Sequence, residues 1–156
     1  MLFRSVTDNI SLPAVGQRHL WGRLWRAREH AVAQRQVARL HIRTANVRQP
    51  VLHLSGGNQQ KVVLGKWLAM QPQILILDEP TRGIDVGAKA DIYRQIVALA
   101  DSGTTILLVS SDMEELLGLS DRVVVMHERR IAGILAGEEV NETNIANLMT
   151  GNPHAR

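Results

Sequence analysis

The sequence contains no cysteine, which removes disulfides, thiolate metal sites and cysteine nucleophiles together. It contains no run near the roughly 18 consecutive apolar residues that a membrane-spanning helix needs. The opening Met1-Leu2-Phe3-Arg4-Ser5 has neither the charged nor the apolar region of a secretion leader, which argues against a secreted chain. Aromatic residues make up only 3%, and the first fifty residues have no lysine at all. Any chemistry here must run on carboxylates, hydroxyls, amides and cations. What is present fits a soluble globular chain: 156 residues, 45% hydrophobic and 21% charged, with five prolines and twelve glycines.

The net charge of +3 hides an asymmetry. Residues 1–50 hold nine arginines against only Asp8 and Glu29, a local charge of +7. Residues 51–156 hold nine cations against thirteen acids, a local charge of −4. The basic part includes Trp21 and Trp25 and could meet nucleic acid, a membrane surface or a partner protein, or simply form a solvated helical face. Nucleic acid is the weakest of these, because aromatics do not continue beyond those two tryptophans and the remainder is acidic.

Periodicity predicts helices in the first fifty residues, joined near Pro13, with residues 28–43 a surface helix of modest apolar stripe and a break at 46–50. From residue 51 strand and helix alternate. The pattern predicts helix over 58–70 with Val63, Trp67 and Met70 on one face, strand over 74–77, and helix over 88–100 burying Ile92, Ile96 and Leu99. It then predicts strand over 104–109, a short helix capped by Asp112, a hairpin of 122–126 with 131–135, and a last helix capped by Thr143. Continuous apolar strands in such an alternation imply an α/β fold whose mainly parallel sheet has helices on both faces, with function at the carboxyl ends of the strands. The six histidines are scattered without metal-like pairing, and no Ser/His/Asp triad can be argued.

Two places carry chemistry. Asp78 and Glu79 follow the apolar Ile74-Leu75-Ile76-Leu77, where ionised groups must be solvated, paired or bound to a metal. A magnesium ion bridged to phosphate oxygens would account for them, with Asp78 holding the ion through its water shell and Glu79 orienting or deprotonating a water. An ordinary strand-to-turn boundary would account for the pair equally well. Upstream, Leu54-Ser55-Gly56-Gly57-Asn58-Gln59-Gln60-Lys61 enters a helix, where two glycines permit close backbone approach and the helix start favours an anion. Alone, Ser-Gly-Gly would be a plain helix entry.

Taken in order, residues 54–61, Asp78-Glu79-Pro80-Thr81 and Arg82-Gly83-Ile84-Asp85 resemble the signature, Walker B motif and D-loop of an ABC transporter ATPase. More narrowly, the string from Asp78 to Lys89 and Ser110-Ser111-Asp112 ahead of Leu119-Ser120-Asp121-Arg122 are similar to the second cassette of bacterial sugar importers of the ribose, arabinose, galactose and autoinducer-2 type. The resemblance covers about residues 5–151. It implies a partial P-loop NTPase fold: 1–53 as a partial helical subdomain, 54–151 as the later part of a nucleotide-binding domain, and 152–156 as a tail. It further implies that Leu54, Ser55, Gly56, Gly57, Asn58 and Gln59 contact nucleotide held by an opposite cassette, Ser55 and Gly57 at its γ-phosphate. Glu79 would be the catalytic base, Asp78 the magnesium ligand through water, and Gly83 and Asp85 part of the D-loop, with Asp85 bridging the dimer. ATP and Mg²⁺ are the implied cofactors. The implied partners are another cassette, a sugar-importer permease and, indirectly, a periplasmic sugar-binding protein, at the cytoplasmic side of the inner membrane.

Two departures bear on activity. The phosphate-gripping G-x-x-x-x-G-K-[ST] does not occur: Lys66 alone follows a glycine among the lysines, but Gln60 stands at the first glycine position and Trp67 at the hydroxyl position. Ser111 occupies the switch position, where most cassettes place a histidine, and serine cannot become a charged donor. Hydrolysis by the chain alone is therefore not expected, and the competing reading is a non-catalytic module that binds a permease or a full cassette. Without the strand that feeds the lysine loop, strand 122–126 is expected either to pair with 104–109 or to leave apolar surface exposed. Glu128-Arg129-Arg130 puts charged residues where a hairpin favours glycine.

Overall fold

The computed structural model describes residues 4–13 and 22–151, with side chains in the second stretch from residue 26 onward. Its helices are α1 (Val6–Ser11), α2 (Gly22–Arg39), α3 (Gly56–Leu68), α4 (Val86–Asp101), α5 (Met113–Leu119) and α6 (Glu142–Met149), and its strands are β1 (Ile74–Asp78), β2 (Thr105–Val109), β3 (Arg122–His127) and β4 (Arg130–Ala136). They fall into two compact units, Met1–Leu75 with Pro80–Ile106, and Ile76–Glu79 with Leu107–Arg156. The boundary expected at residues 53 and 54 lies inside the first unit. Trp21, the side chain of Trp25 and residues 152–156 lie outside the described residues.

In the first unit, α1 packs against α2 and α3. The helix begins at a reciprocal cap: Ser5 Oγ accepts from the Asp8 N–H, and the Asp8 carboxylate accepts from the Ser5 N–H. The chain at 47–51 laces across this start, with the Val6 N–H donating to the Gln49 carbonyl and the Val51 N–H to the Arg4 carbonyl, both at 3.0 Å. Val6, Ile10, Ala33 and Leu40 are fully buried, each large aliphatic one worth about 1.5–3 kcal/mol of burial. Gly65 lets α3 come close, since a Cβ there would meet Leu40 Cδ1 at 3.0 Å and Gln36 Cβ at 3.4 Å.

The face of α3 that turns inward is not the expected one. Val63, Trp67 and Met70 are exposed, Trp67 by 49%. Gly57, Lys61, Leu64, Gly65 and Leu68 are buried instead, a stripe with the same helical spacing. A charged residue and two glycines disguise it. Lys61 is buried because its Nζ donates to Asp91 of α4 at 3.0 Å, and Asp91 also pairs with Arg94. The Lys61 hydrogen bond and charge, aided by Arg94, hold the Asp91 carboxyl below its ordinary range. Helix α4 buries Ile92, Ile96 and Leu99 as its periodicity predicts.

β1 and β2 form a two-stranded sheet. The Thr105 N–H donates to the Gln73 carbonyl and the Glu79 N–H to the Val109 carbonyl, so start lies beside start and the strands are parallel. Each strand covers only alternate residues: Leu75 is buried and Leu77 half-buried, whereas Ile74 and Ile76 are exposed, and Leu107 and Val109 are exposed on β2. The described residues thus form the expected α/β fold with a small parallel sheet, in which alternate residues of each strand stay exposed.

In the second unit, β3 and β4 form an antiparallel hairpin, with Val124 opposite Ile134 and Met126 opposite Ile131. Val123 and Val125 pack with Ile145 of α6, and Leu135 and Leu148 join them. A Cβ at Gly133 would strike Leu148 Cδ1 at 2.7 Å, so glycine is what allows α6 to lie this close to β4. The turn residues Glu128 and Arg129 have φ of 46° and 65°, the strained, glycine-preferring conformation that the sequence suggested. Helix α6 is capped by Asn141, whose Oδ1 accepts from the Asn144 N–H at 2.9 Å, and not by Thr143. β3 pairs with β4 and not with β2, so of the two expected outcomes the exposed apolar surface is the one found.

Candidate functional site

The first candidate region starts at Ser55, the residue before α3. Its side chain makes no capping bond to the helix. Instead Asn58 Nδ2 donates to Ser55 Oγ at 2.8 Å, while Asn58 Oδ1 accepts from the Arg43 N–H at 2.8 Å. Gln59 reaches back with its Nε2 to the Leu54 carbonyl at 2.9 Å. Asn58 and Gln59 therefore shape the approach to the helix, and Ser55 and Gly56 remain exposed at its tip. Leu54 is buried and anchors that tip. Gly57 is buried for a different reason: a Cβ there would sit 2.5 Å from Ala88 Cβ at the start of α4, closer than real contacts allow. The second glycine is thus required by helix packing, quite apart from any ligand.

The loop between β1 and α4 belongs in part to the same unit. Gly83 has φ of 74°, and the Ile84 N–H donates to the Thr81 carbonyl at 3.3 Å. Asp85 caps α4, its Oδ1 accepting from the Ala88 N–H at 2.9 Å. One carboxylate oxygen is thereby engaged in the fold, and the residue stays exposed.

The second candidate region is the end of β1, in the other unit. Asp78 is exposed at the last strand position. Glu79 follows in the left-handed region with φ of 47°, which for a non-glycine residue is costly and needs support. It has two supports. Its N–H donates to the Val109 carbonyl at 2.8 Å, and its Oε1 accepts from the Ser111 N–H at 3.0 Å. The structure thus brings Glu79 and Ser111 together, while Ser111 offers backbone rather than side chain to the carboxylate. Ser110, to which sequence reasoning assigned no part, fixes the same turn: its Oγ accepts from the Asp112 N–H at 3.0 Å, and Asp112 caps α5. The Ser-Ser-Asp string was the available signal.

Among the described residues no group of three or more His, Asp or Glu could by itself hold a metal ion. An exposed carboxylate at a strand end suits a hard cation that takes one or two protein oxygens and the rest from phosphate and water. Gly65 and Lys66 lie within α3, where the Ala69 N–H donates to the Gly65 carbonyl and Lys66 Nζ sits 4.5 Å from the centre of the Trp67 ring. That is helix interior, not a phosphate-binding loop.

A family model for the ABC transporter matches residues 3–82, about half of the sequence. The chain belongs to the ABC transporter family. Among its relatives is the ribose import ATP-binding protein RbsA of Geobacillus kaustophilus, 46% identical over 97% of this chain. A ribose import ATP-binding protein of Mesorhizobium japonicum is 50% identical over 93% of the chain, and a putative ribose/galactose/methyl galactoside import ATP-binding protein of G. kaustophilus is 50% identical over 94%. The chain spans 31%, 29% and 29% of the length of those three. Solved ABC cassettes share the fold. A nucleotide-free ATP-binding cassette superposes with a TM-score of 0.73 at 22% identity, over 95% of this chain and 60% of the other. A dimeric cassette in a post-hydrolysis state bound to ADP and Pi gives 0.72 at 19% identity, over 87% and 58%. No helix of the described residues in this ABC family member is long and apolar enough to cross a membrane.

Proposed function

We propose that the chain is the signature and Walker B part of an ATP-binding subunit of an ABC-type sugar importer, contributing to ATP hydrolysis only in a composite site with a lysine-loop-bearing cassette. The observation that supports this best is the end of β1, where a strained Glu79 is held by the Val109 carbonyl and the Ser111 N–H beside the exposed Asp78. Backbone strain is retained where the surrounding structure imposes it, and functional sites are where it concentrates. Asp78 would hold Mg²⁺ through water, and Glu79 would accept a proton from, or orient, the attacking water. Bound Mg²⁺ would neutralise charge on the transferred phosphoryl group. Ser55, Gly56 and Gly57, with Leu54, Asn58 and Gln59 shaping the tip of α3, would contact ATP held by the opposite cassette, and Gly83 and Asp85 would meet that cassette in the dimer. The relatives' names support a sugar permease as the membrane partner, a periplasmic sugar-binding protein behind it, and a peripheral position on the cytoplasmic face of the inner membrane.

One feature supports a second reading, a non-catalytic module that occupies a permease or a full cassette. Ser111 is neutral, so the position that would touch the γ-phosphate cannot carry charge. The deciding experiment measures ATP binding and hydrolysis by the chain alone and then with a lysine-loop-bearing cassette and its permease. The composite site predicts no turnover alone, and stimulation in the mixture that Ser55→Arg or Glu79→Gln abolishes. Turnover by the chain alone would overturn it, and inhibition of the mixture would favour the module.

A further inference from the structure

The turn between β3 and β4 carries charges that the ATP site does not use. In the sequence of the second unit, residues 76–79 and 107–156, acids outnumber cations ten to four, and two of the four cations are the adjacent Arg129 and Arg130. Both are exposed and line a cavity of about 730 Å³. The half-buried His127 and the exposed Glu128 are its other polar side chains, and Ala132 and Leu148 give it an apolar wall. Among the described residues neither guanidinium has a hydrogen bond or ion pair to another side chain, and the same holds for the His127 ring and the Glu128 carboxylate. The turn is strained to present them. Glu128 and Arg129 take φ of 46° and 65°, a conformation in which glycine or asparagine would sit at ease. Residues held there against their preference point to a use for their side chains. Gly151 completes the cavity: with φ of 74° and no side chain, it leaves room for the His127 ring, whose Nε2 would lie 3.0 Å from a Cβ at that position.

Two neighbouring guanidinium groups suit the charged oxygens of a phosphate, which arginine engages with paired N–H donors. A carboxylate in the same cavity opposes a bare anion and favours a ligand with hydroxyl groups from which it can accept. The wall of Ala132 and Leu148 offers a surface for a carbon skeleton, and the volume is within the range of small-molecule sites. Nucleic acid or an anionic bilayer would instead bring an extended negative surface to a unit that is itself acidic. We propose that this cavity binds a small phosphorylated polyol, with Arg129, Arg130 and His127 donating to the phosphate, Glu128 accepting from a hydroxyl, and Leu148 against the carbon skeleton. The site needs neither ATP nor a second cassette, so it stands or falls separately from the composite site.

The test titrates glycerol phosphate and ribose phosphate into the 156-residue chain, with ribose, glycerol and inorganic phosphate as incomplete ligands. Heat of binding and backbone amide shifts are read. At least one phosphorylated polyol should saturate the chain roughly tenfold more tightly than inorganic phosphate, with shifts gathered at residues 127–132 and 148–151, and the unphosphorylated polyols should not saturate it. Arg129→Gly relaxes the turn while removing a cation, so it should keep or raise the melting temperature and still weaken binding roughly tenfold or more. Arg130→Gln should weaken binding to a similar degree, and Glu128→Gln should narrow the preference over inorganic phosphate. Arg122→Gln, at the other end of the hairpin opposite Ala136, should leave binding unchanged. Vesicles of phosphatidylglycerol, which present the same chemistry on a lipid surface, form a separate arm and should not bind. The inference is overturned by no saturation at millimolar concentration, by binding that survives both arginine substitutions, by equal weakening from Arg122→Gln, or by binding to the vesicles alone.

Discussion

The two units of this chain differ in how far each satisfies itself. The first buries a helical core, although Val63, Trp67, Met70 and Val86 stay exposed on it. Val6, Ile10, Ala33 and Leu40 are fully buried, α1 has a reciprocal cap, and the one buried lysine is paired to Asp91. Among the described residues the second covers one side of its hairpin with α6 and leaves the other side, and the outer edges of β2 and β3, open. The difference shows that apolar patterning records the contacts a segment is built to make, whether or not those contacts lie within the described chain.

Substitutions of one kind should sharpen that contrast. Leu40→Ala removes a fully buried side chain from the first unit and should cost about 2–5 kcal/mol in denaturant melts. Leu107→Ala, on the bare side of β2, should cost less than about 0.5 kcal/mol and should reduce dye binding. Equal losses from the two would break the comparison. Next in size, Gly57→Val would drive a side chain into Ala88 and should cost about 1–3 kcal/mol, whether or not nucleotide is present. A loss confined to nucleotide binding, with stability intact, would show that the glycine serves only a ligand. Arg129→Gly relieves a φ of 65° and should stabilise the second unit by about 1 kcal/mol, seen as a raised denaturation midpoint.

The smallest expected effect is in acid. Asp91 has a folded pKa below its unfolded value, chiefly through Lys61, so its contribution is present above the unfolded pKa and is lost as pH falls through the folded one. Asp91→Asn should therefore leave the acid limb of the first unit's stability profile shallower, without altering the second unit's.

Much of this was legible in the sequence. The Asp112 cap, the Ile92, Ile96 and Leu99 stripe, the hairpin and its strained turn appear as the residues imply. The Ser55 and Glu79 neighbourhoods lie on the elements expected of them, a helix start and a strand end. What was not legible follows from three physical facts. Periodicity tells which residues share a face of α3 but not which face is inward, and the buried one was masked by Lys61, Gly57 and Gly65. Asn141 and Thr143 are both able to cap, and Asn141 lies where its Oδ1 meets the Asn144 N–H. A continuous apolar run tells that both faces of a strand are apolar, not which residues stay exposed, as Ile74, Ile76, Leu107 and Val109 do. For the site, no pattern announced that Asn58 would bridge Ser55 and Arg43, because that contact depends on the fold of 40–58.

Residue-resolved amide hydrogen exchange on the chain alone tests the contrast between the units most directly. The account predicts slow exchange in α1 and α3, set by the buried helical core of the first unit, and fast exchange along the open edges of β2 and β3. Uniformly slow exchange through both units, with β2 and β3 protected as strongly as α3, would contradict it.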